Sequence, residues 1–221
     1  MQLRAFLDQT DGMRTNGNKV SGELYDPNDP STWVGVVWIE VTPGNMRVKG
    51  IDWPGQELVG NLHLSSCWAL EWLYCYSNRL NELDVSDCTS LLYLSCYENR
   101  LTSLDTDPCP GLVRLDCGNN LLTSLNVTGC PLRAIDCSDN QLTSLDIGSC
   151  ELLRDLRCYD NRFTFSGLPR YLPVSGGSTC TRRKRISSSA QAALSRLEQK
   201  STCLLRLVLT ASIPPSPGTT V

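Results

Sequence analysis

Histidine occurs once in 221 residues, at His63. A Ser/His/Asp or Cys/His apparatus would have to use that single imidazole, and no G-x-S-x-G or phosphate-loop pattern accompanies it. Long apolar runs are also missing. The longest near the C-terminus, residues 204–209, is interrupted by Arg206 and is far too short to span a bilayer. Residues 1–8 lack both a basic and an apolar leader region, so the expectation is a cytosolic protein or a chain beginning after a removed or missing leader. Before the tail, acidic residues outnumber basic ones. Residues 181–221 carry seven Lys/Arg (Arg182, Arg183, Lys184, Arg185, Arg196, Lys200, Arg206) and one acid, Glu198, which leaves the preceding residues at −9 of the overall −3. An acidic body argues against a nucleic-acid groove there.

What is abundant is repetition. Leu70, Leu73, Cys75, Asn78 and Leu80 return as Leu91, Leu94, Cys96, Asn99, Leu101 and again as Leu112, Leu115, Cys117, Asn120, Leu122. Leu132, Ile135, Cys137, Asn140, Leu142 follow, and Leu153, Leu156, Cys158, Asn161, Phe163 close the series. The asparagines are spaced 21, 21, 20 and 21 residues apart. This L-x-x-L-x-C-x-x-N-x-L wording is the leucine-rich-repeat signature, and it implies a stacked solenoid in which each coil touches its neighbours.

Ten of the twelve cysteines fall into two ladders at the same period. Cys75, Cys96, Cys117, Cys137 and Cys158 occupy the third inward site of the motif, where a thiol acts as a small hydrophobe. Cys67, Cys88, Cys109, Cys130 and Cys150 form the second. Stacked strands sit about 4.8 Å apart, whereas disulfides want Cβ atoms at about 3.8 Å, so reduced core thiols are expected over disulfides or metal ligands. The asparagine column sits where each strand turns a corner, and its amides can satisfy backbone groups of their own and adjacent coils.

Upstream, Leu3, Phe6 and Leu7 lie on one face of a short helix. Asp11-Gly12, Asn16-Gly17 and Asp26-Pro27-Asn28-Asp29-Pro30 are turn chemistry, predicting an irregular loop. Residues 33–39, aromatic and β-branched, suit a strand, and Pro43-Gly44-Asn45 marks the next turn. Val48, Ile51, Trp53 and Leu58 precede Leu70, Leu73, Cys75 and Leu80 by 22 residues, with Gln56 in the asparagine position. They predict a larger, atypical first coil that covers the open end of the core. In the second half of each repeat, Leu83-x-Val85-x-x-Cys88 recurs as Leu104-x-Thr106-x-x-Cys109, Leu125-x-Val127-x-x-Cys130 and Leu145-x-Ile147-x-x-Cys150. That alternation predicts a second short strand, with no room for a helix of several turns.

The helix, then Trp33, Gly35, Val36, Trp38, then Arg47, Val48 and Ile51 resemble the N-terminal caps of leucine-rich-repeat proteins. Leu101-Thr102-Ser103-Leu104-Asp105, repeated at residues 142–146, resembles the exported, surface type found in bacteria. The resemblance covers about residues 3–168. It implies an extracellular or cell-surface location and a part in adhesion or host contact. After Asn161 the wording breaks; Phe163, Phe165, Leu168 and Pro169 would close the last coil. The tail carries a Gly176-Gly177-Ser178 link, the basic run 182–185 and at most one amphipathic helix through Ala190, Ala193, Leu194 and Leu197, and is otherwise expected to be poorly ordered. The basic run is either a solvated stretch or a localisation or polyanion-binding signal. Codons compatible with residues 179–184, read one frame over, encode (Met/Leu/Val)-Tyr-Ala-Pro-Gln-Lys, which resembles the segment following the repeats in this family. A frameshift from about Ser178 is therefore a further expectation, and DNA sequencing decides it.

Side chains alternating with the buried residues face the concave surface, where solenoids bind partners. The triplets are Trp72/Tyr74/Tyr76, Tyr93/Ser95/Tyr97, Arg114/Asp116/Gly118, Ala134/Asp136/Ser138 and Asp155/Arg157/Tyr159. The first two present five aromatics, suited either to binding a partner or to cross-strand packing. Asp116 and Asp136 are near neighbours and would be a glycosidase pair or half a calcium site only in a deep pocket, so a solvated, charge-paired surface is favoured. Asn126-Val127-Thr128 is a glycosylation sequon, idle in a bacterium.

The sequence thus predicts an α/β-type repeat superhelix: a leucine-rich-repeat solenoid, mostly short parallel β-strands with little helix, behind a helix-plus-strand cap. Residues 1–60 are the cap, 61–168 the solenoid and 169–221 a basic tail. The expected role is a non-enzymatic binding module without cofactor or metal, engaging a protein. A glycan bound on the aromatic patch, or a recognition fragment of a larger protein, are the alternatives.

Overall fold

The computed structural model describes residues 2–164, all within one compact unit, Met1–Arg182. The expected closure by Phe165, Leu168 and Pro169, the 168/169 boundary, the basic tail and the frame change lie outside the described residues. Two short helices, α1 (Gln2–Leu7) and α2 (Asn16–Ser21), precede nine strands. These are β1 (Val36–Thr42), β2 (Asn45–Asp52), β3 (Val59–His63), β4 (Trp72–Tyr74), β5 (Arg79–Asp84), β6 (Tyr93–Ser95), β7 (Arg114–Asp116), β8 (Ala134–Asp136) and β9 (Asp155–Arg157). Seven form one sheet in the order β1-β2-β4-β6-β7-β8-β9, with β1 antiparallel to β2 and every later pair parallel. The chain is a leucine-rich-repeat-like solenoid, mostly of parallel strands with little helix.

Each coil sends the middle residue of its three-residue strand inward and the outer two outward, as the period of two requires. Ile51, Leu73, Leu94, Leu115, Ile135 and Leu156 stack in register and are buried. Columns of Leu and Cys on either side complete one continuous core. The main-chain ladder runs on past the strands. Cys75, Cys96, Cys117 and Cys137 donate their N–H groups to Ser95, Asp116, Asp136 and Arg157 in the next coil, at 2.8–2.9 Å.

The corner after each strand has two parts. Ser77, Glu98, Asn119, Asp139 and Asp160 take left-handed backbone, φ 50–55°, which costs about 1–2 kcal/mol for a residue with a Cβ. The asparagine that follows offsets this. Asn120 donates Nδ2 to the Cys117 and Gly118 carbonyls of its own coil and to Cys96 in the coil before, while its Oδ1 accepts from Leu101 N. Asn99, Asn140 and Asn161 repeat the pattern, with the Leu80, Leu122 and Leu142 N–H groups as donors. Asn78 serves the atypical first coil, accepting from Gln56 N and Leu58 N and donating to the Trp53 carbonyl. The column therefore stitches coil to coil, and among the described residues no buried side-chain N or O lacks a partner.

Both cysteine columns are free thiols, and all but Cys67, which is half-buried, are buried. In the second column Cys88, Cys109 and Cys150 direct Sγ at carbonyls of the preceding coil, at 3.7–3.8 Å, and Cys130 reaches the Thr106 carbonyl at 3.3 Å. Burial pushes the Cys75 thiol up to about 12 and those of Cys96 and Cys117 well above the ordinary value. Thiolate is the reactive form, so these groups are inert while folded. Among the ten ladder cysteines, N-ethylmaleimide at pH 8 is expected to label Cys67 first and the Cys75 column only on unfolding. Peptide mapping by mass spectrometry checks this, and native labelling of Cys117 at the rate of Cys67 would contradict it.

The cap holds what was expected of α1: Leu3, Phe6 and Leu7 are buried. Phe6 stacks on Trp53, ring centroids 5.7 Å apart, and Trp53 Nε1 donates to the Val34 carbonyl at 2.7 Å. Three expectations need correction. Residues 16–21 form α2 instead of an irregular loop. Thr15 caps the helix by accepting from Asn18 N, and Asn16 is fully buried, bonding Phe6 O and both polar groups of Val59. Gly17 lies so close under the Tyr25 ring that any Cβ would collide with it. The strand expected over residues 33–39 begins only at Val36. Gly35 turns the chain at φ 82°, where a Cβ would clash with the Asp52 carbonyl, and buried Trp33 sits before it as a plug. The second strand of each coil is formed only at the start. β3 pairs with β5, Asp105 and Asn126 make one isolated bridge, and the Leu145–Ile147 stretch has none among the described residues. From Thr102 onward the Thr-Ser step bends the chain, and that side is held by buried Leu, Val or Ile together with the cysteine Sγ contacts and the Thr106 Oγ1 bond to the Asn126 carbonyl.

Candidate binding face

The outward residues of the seven-stranded sheet fall into three columns. The first runs Gly50, Trp72, Tyr93, Arg114, Ala134, Asp155 and the second Asp52, Tyr74, Ser95, Asp116, Asp136, Arg157, both in exact Cα register. Two residues beyond the second column, Tyr76, Tyr97, Gly118, Ser138 and Tyr159 make the third. The structure brings all eleven sequence-selected face residues onto one surface, half-buried or exposed.

The five aromatics divide into two kinds. Tyr76 and Tyr97 stack on each other at 4.6 Å with planes 10° apart, and Trp72 lies over Gly50, where a Cβ would fall inside the indole. Lys49 Nζ sits 6.0 Å from the Trp72 ring and 3.6 Å from Glu71. These three rings pack across strands. Tyr74 and Tyr93 have no ring partner among the described residues, and Tyr93 is 43% exposed. Trp72 and Tyr93 share a column, so whether an aromatic packs or stands free depends on where its neighbour's side chain lies, which residue type alone does not reveal.

Toward the C-terminal coils the face is charged. Arg157 pairs with Asp136 at 3.5 Å, and Ser138 Oγ donates to Asp136 Oδ1 at 2.6 Å. Asp116 has no cation within ion-pair distance among the described residues. Burial first, then the Asp136 charge, raise its carboxyl above the ordinary value against the opposing pull of the Gly118 amide, Arg114 and Arg157. A raised folded-state value means stability present below the ordinary Asp value is lost as pH rises through the folded one. Asp116→Asn is therefore expected to raise the neutral-pH melting temperature. The gap to wild type should close as the pH falls below the ordinary carboxylate range. A variant that melts lower than wild type at pH 7 would contradict the assignment.

The other outward column, on the second half of each coil, is occupied by turn-making groups. Asp84, Asp105, Asn126 and Asp146 each accept from the N–H two residues on, at 2.9–3.1 Å, the Asx-turn geometry. With Ser103, Ser124 and Ser144 they line an open groove of about 590 Å³ that sequence reasoning had not marked. His63 is 3.7 Å from Asp84 and lines a small cavity with Phe6 and Gln9. No group of three or more His, Cys, Asp or Glu among the described residues is placed to hold a metal. A second unmarked surface lies beside the cap, where Trp68 and Met46 are about half exposed around Leu3, Trp38 and Cys67. Its signal was a tryptophan at a loop position where the later coils carry Thr89, Pro110, Pro131 and Glu151.

No helix among the described residues is long and apolar enough to cross a membrane. No protein-family model matches the chain, and no curated protein matches it. Among solved structures it is similar to the functional domain of InlJ from Listeria monocytogenes, which includes a cysteine ladder. The identity is 19% and the TM-score 0.33, over 53% of this chain and 45% of that one. The chain thus spans less than half the length of that structure.

Proposed function

We propose that this chain is a non-enzymatic binding module that engages a protein partner through the aromatic end of the outer sheet face. The observation that carries the reading is the pair Tyr74 and Tyr93, free of ring partners and held on adjacent strands by a rigid stack. Tyrosines held this way offer contact area at little entropic cost, and exposed apolar groups on a flat sheet mark interaction sites. Trp72, Tyr76 and Tyr97 shape the platform, and Arg114, Asp116, Asp136, Asp155, Arg157 and Tyr159 extend it. By its resemblance to exported bacterial leucine-rich-repeat proteins, the module works at the cell surface, in adhesion or host contact. Residues 1–60 act as cap, 61–168 as recognition surface and 169–221 as an appended basic tail, and binding calls for no cofactor.

Peptides displayed on phage, selected on the full chain and then counterscreened on Tyr93→Ala, test this. Most selected clones should lose binding to the variant; clones indifferent to Tyr93 would contradict the site. The same platform suits the face of a sugar ring, which favours a second reading as a glycan binder. A glycan array that is bright with wild type, dark with Tyr74→Ala and Tyr93→Ala, and accompanied by no peptide binders would establish that reading instead.

A further inference from the structure

The second column of cysteines shows what the first end of the core lacks. Cys88, Cys109, Cys130 and Cys150 each point Sγ at a carbonyl of the coil before. Cys67 stands first in that column and has the cap in front of it instead of a regular coil. The cap fills only part of that place. Leu3 of α1 and Val48 of β2 are buried, Trp38 and Cys67 are half-buried, and Met46 and Trp68 are about half exposed. Together they line a cleft of about 440 Å³. That size lies within the range of small-molecule sites, about 300–1,000 Å³.

Two features of the lining belong to this coil alone. The residue after the column cysteine is Trp68 here, whereas the later coils carry Thr89, Pro110, Pro131 and Glu151. The turn that presents Trp68 is held in place: Ser66 has left-handed backbone, φ 67°, and its N–H donates to Asp87 Oδ2 of the next coil at 2.8 Å. The second feature is Arg47, the cation of the lining. Its Nη1 donates to Asn45 Oδ1 and to the Met46 carbonyl. No carboxylate lies within ion-pair distance of it among the described residues, although the body of the chain is acidic.

From an apolar hollow with one uncompensated cation in its wall we infer that the cleft between cap and first coil binds an alkyl carboxylate, a medium-chain fatty acid. Its chain lies against Leu3, Trp38, Val48 and Trp68, and its carboxylate pairs with the Arg47 guanidinium, whose fork matches two oxygens at once. Both halves of the ligand are needed. An uncharged chain would leave the guanidinium without a counter-ion, and a small anion would leave Met46 and Trp68 in water, where exposed apolar area is unfavourable. The site uses none of the eleven residues of the outer face, so it is a binding activity separate from the one proposed above.

The test uses the full chain, reduced, at neutral pH, with octanoate, decanoate and dodecanoate below the concentrations at which they form micelles. Tryptophan fluorescence follows binding, and Cys67, which lines the cleft, reports occupancy through its rate of labelling by N-ethylmaleimide. Decanoate should slow labelling of Cys67 while the Cys75 column stays unlabelled. Affinity should rise with chain length by up to about fourfold per methylene, the value of one buried CH₂. Arg47→Gln should weaken decanoate about tenfold and leave decanol unchanged, since only the acid loses a charge-assisted bond. Trp68→Thr, which installs the residue of the next coil, should weaken acid and alcohol alike, and circular dichroism checks that both variants fold. Tyr93→Ala should leave the protection of Cys67 intact, and its loss there would overturn the inference by tying the effect to the outer face. No protection in wild type, or equal weakening of acid and alcohol by Arg47→Gln, would overturn it too. So would labelling of Cys75 in the presence of the acid, which marks unfolding by a detergent. Protection that grows with protein concentration without any acid would make a second copy the occupant. Protection by the phage-selected peptides and not by the acids would make it a side chain of a partner, and either result overturns the fatty acid.

Discussion

Asn120→Ala is expected to destabilise the protein by about 3 kcal/mol, the upper end of what unsatisfied buried backbone groups cost. Alanine removes the acceptor of Leu101 N and the donor shared by the Cys96, Cys117 and Gly118 carbonyls. Those groups face the buried side of a corner whose preceding residue, Asn119, is held at φ 50°. The side chain is buried and bonds to both coils that it joins, so the loss falls on both. Asn120→Asp should be nearly as damaging, because a carboxylate keeps the acceptor but repels three carbonyls. Urea melts measure this, and an unchanged midpoint would mean that the asparagine column is not what holds the corners.

Trp53→Ala is expected to cost about 3–5 kcal/mol, the range for removing a buried Trp. Trp53 occupies the position of the ladder cysteine in the first coil, is 1% exposed, and is the surface on which Phe6 of α1 stacks. Removing it leaves a cavity at the end of the core and detaches the cap from the first regular coil. In a quasi-linear array a lost end coil exposes its neighbour. The second expected sign is therefore a smaller dependence of stability on urea, with α1 protease-sensitive before the later coils. Trp53→Cys, which installs the ladder residue, should be as unstable as alanine. A Cys variant as stable as wild type would show that no larger side chain is needed there.

The parts that could be read from sequence are those where one interaction is repeated. Five Asn and ten Cys at one period leave a single stacked arrangement, so the core columns, the corner bonds and the parallel sheet followed from spacing alone. The cap was harder, because each of its interactions occurs once. Asn16-Gly17 has turn chemistry, yet a buried amide bonded to Val59 and the close approach of Tyr25 make it the start of α2. Trp33 has strand propensity, yet it serves as a plug before Gly35. The second-half strands failed for a related reason, since burial of Leu104 and Leu125 needs no continuous ladder beside it. On the outer face the sequence located the columns but not their partners. Tyr76 and Tyr93 are the same residue type and each has an aromatic neighbour one coil away, yet Tyr76 stacks on Tyr97 while the Trp72 indole beside Tyr93 lies over Gly50 instead.

The repeated letters build the scaffold, and the letters that differ between coils carry recognition. The direct measurement is Tyr93→Ala in two assays on the same preparation: urea midpoint, and affinity for a peptide selected on wild type. Tyr93 is exposed and without a ring partner among the described residues, so the midpoint should move by no more than the equivalent of about 1 kcal/mol. The affinity should fall tenfold or more, as for an aromatic anchor. Unchanged affinity, or a collapsed midpoint accounting for the lost binding, would contradict the division between scaffold and recognition.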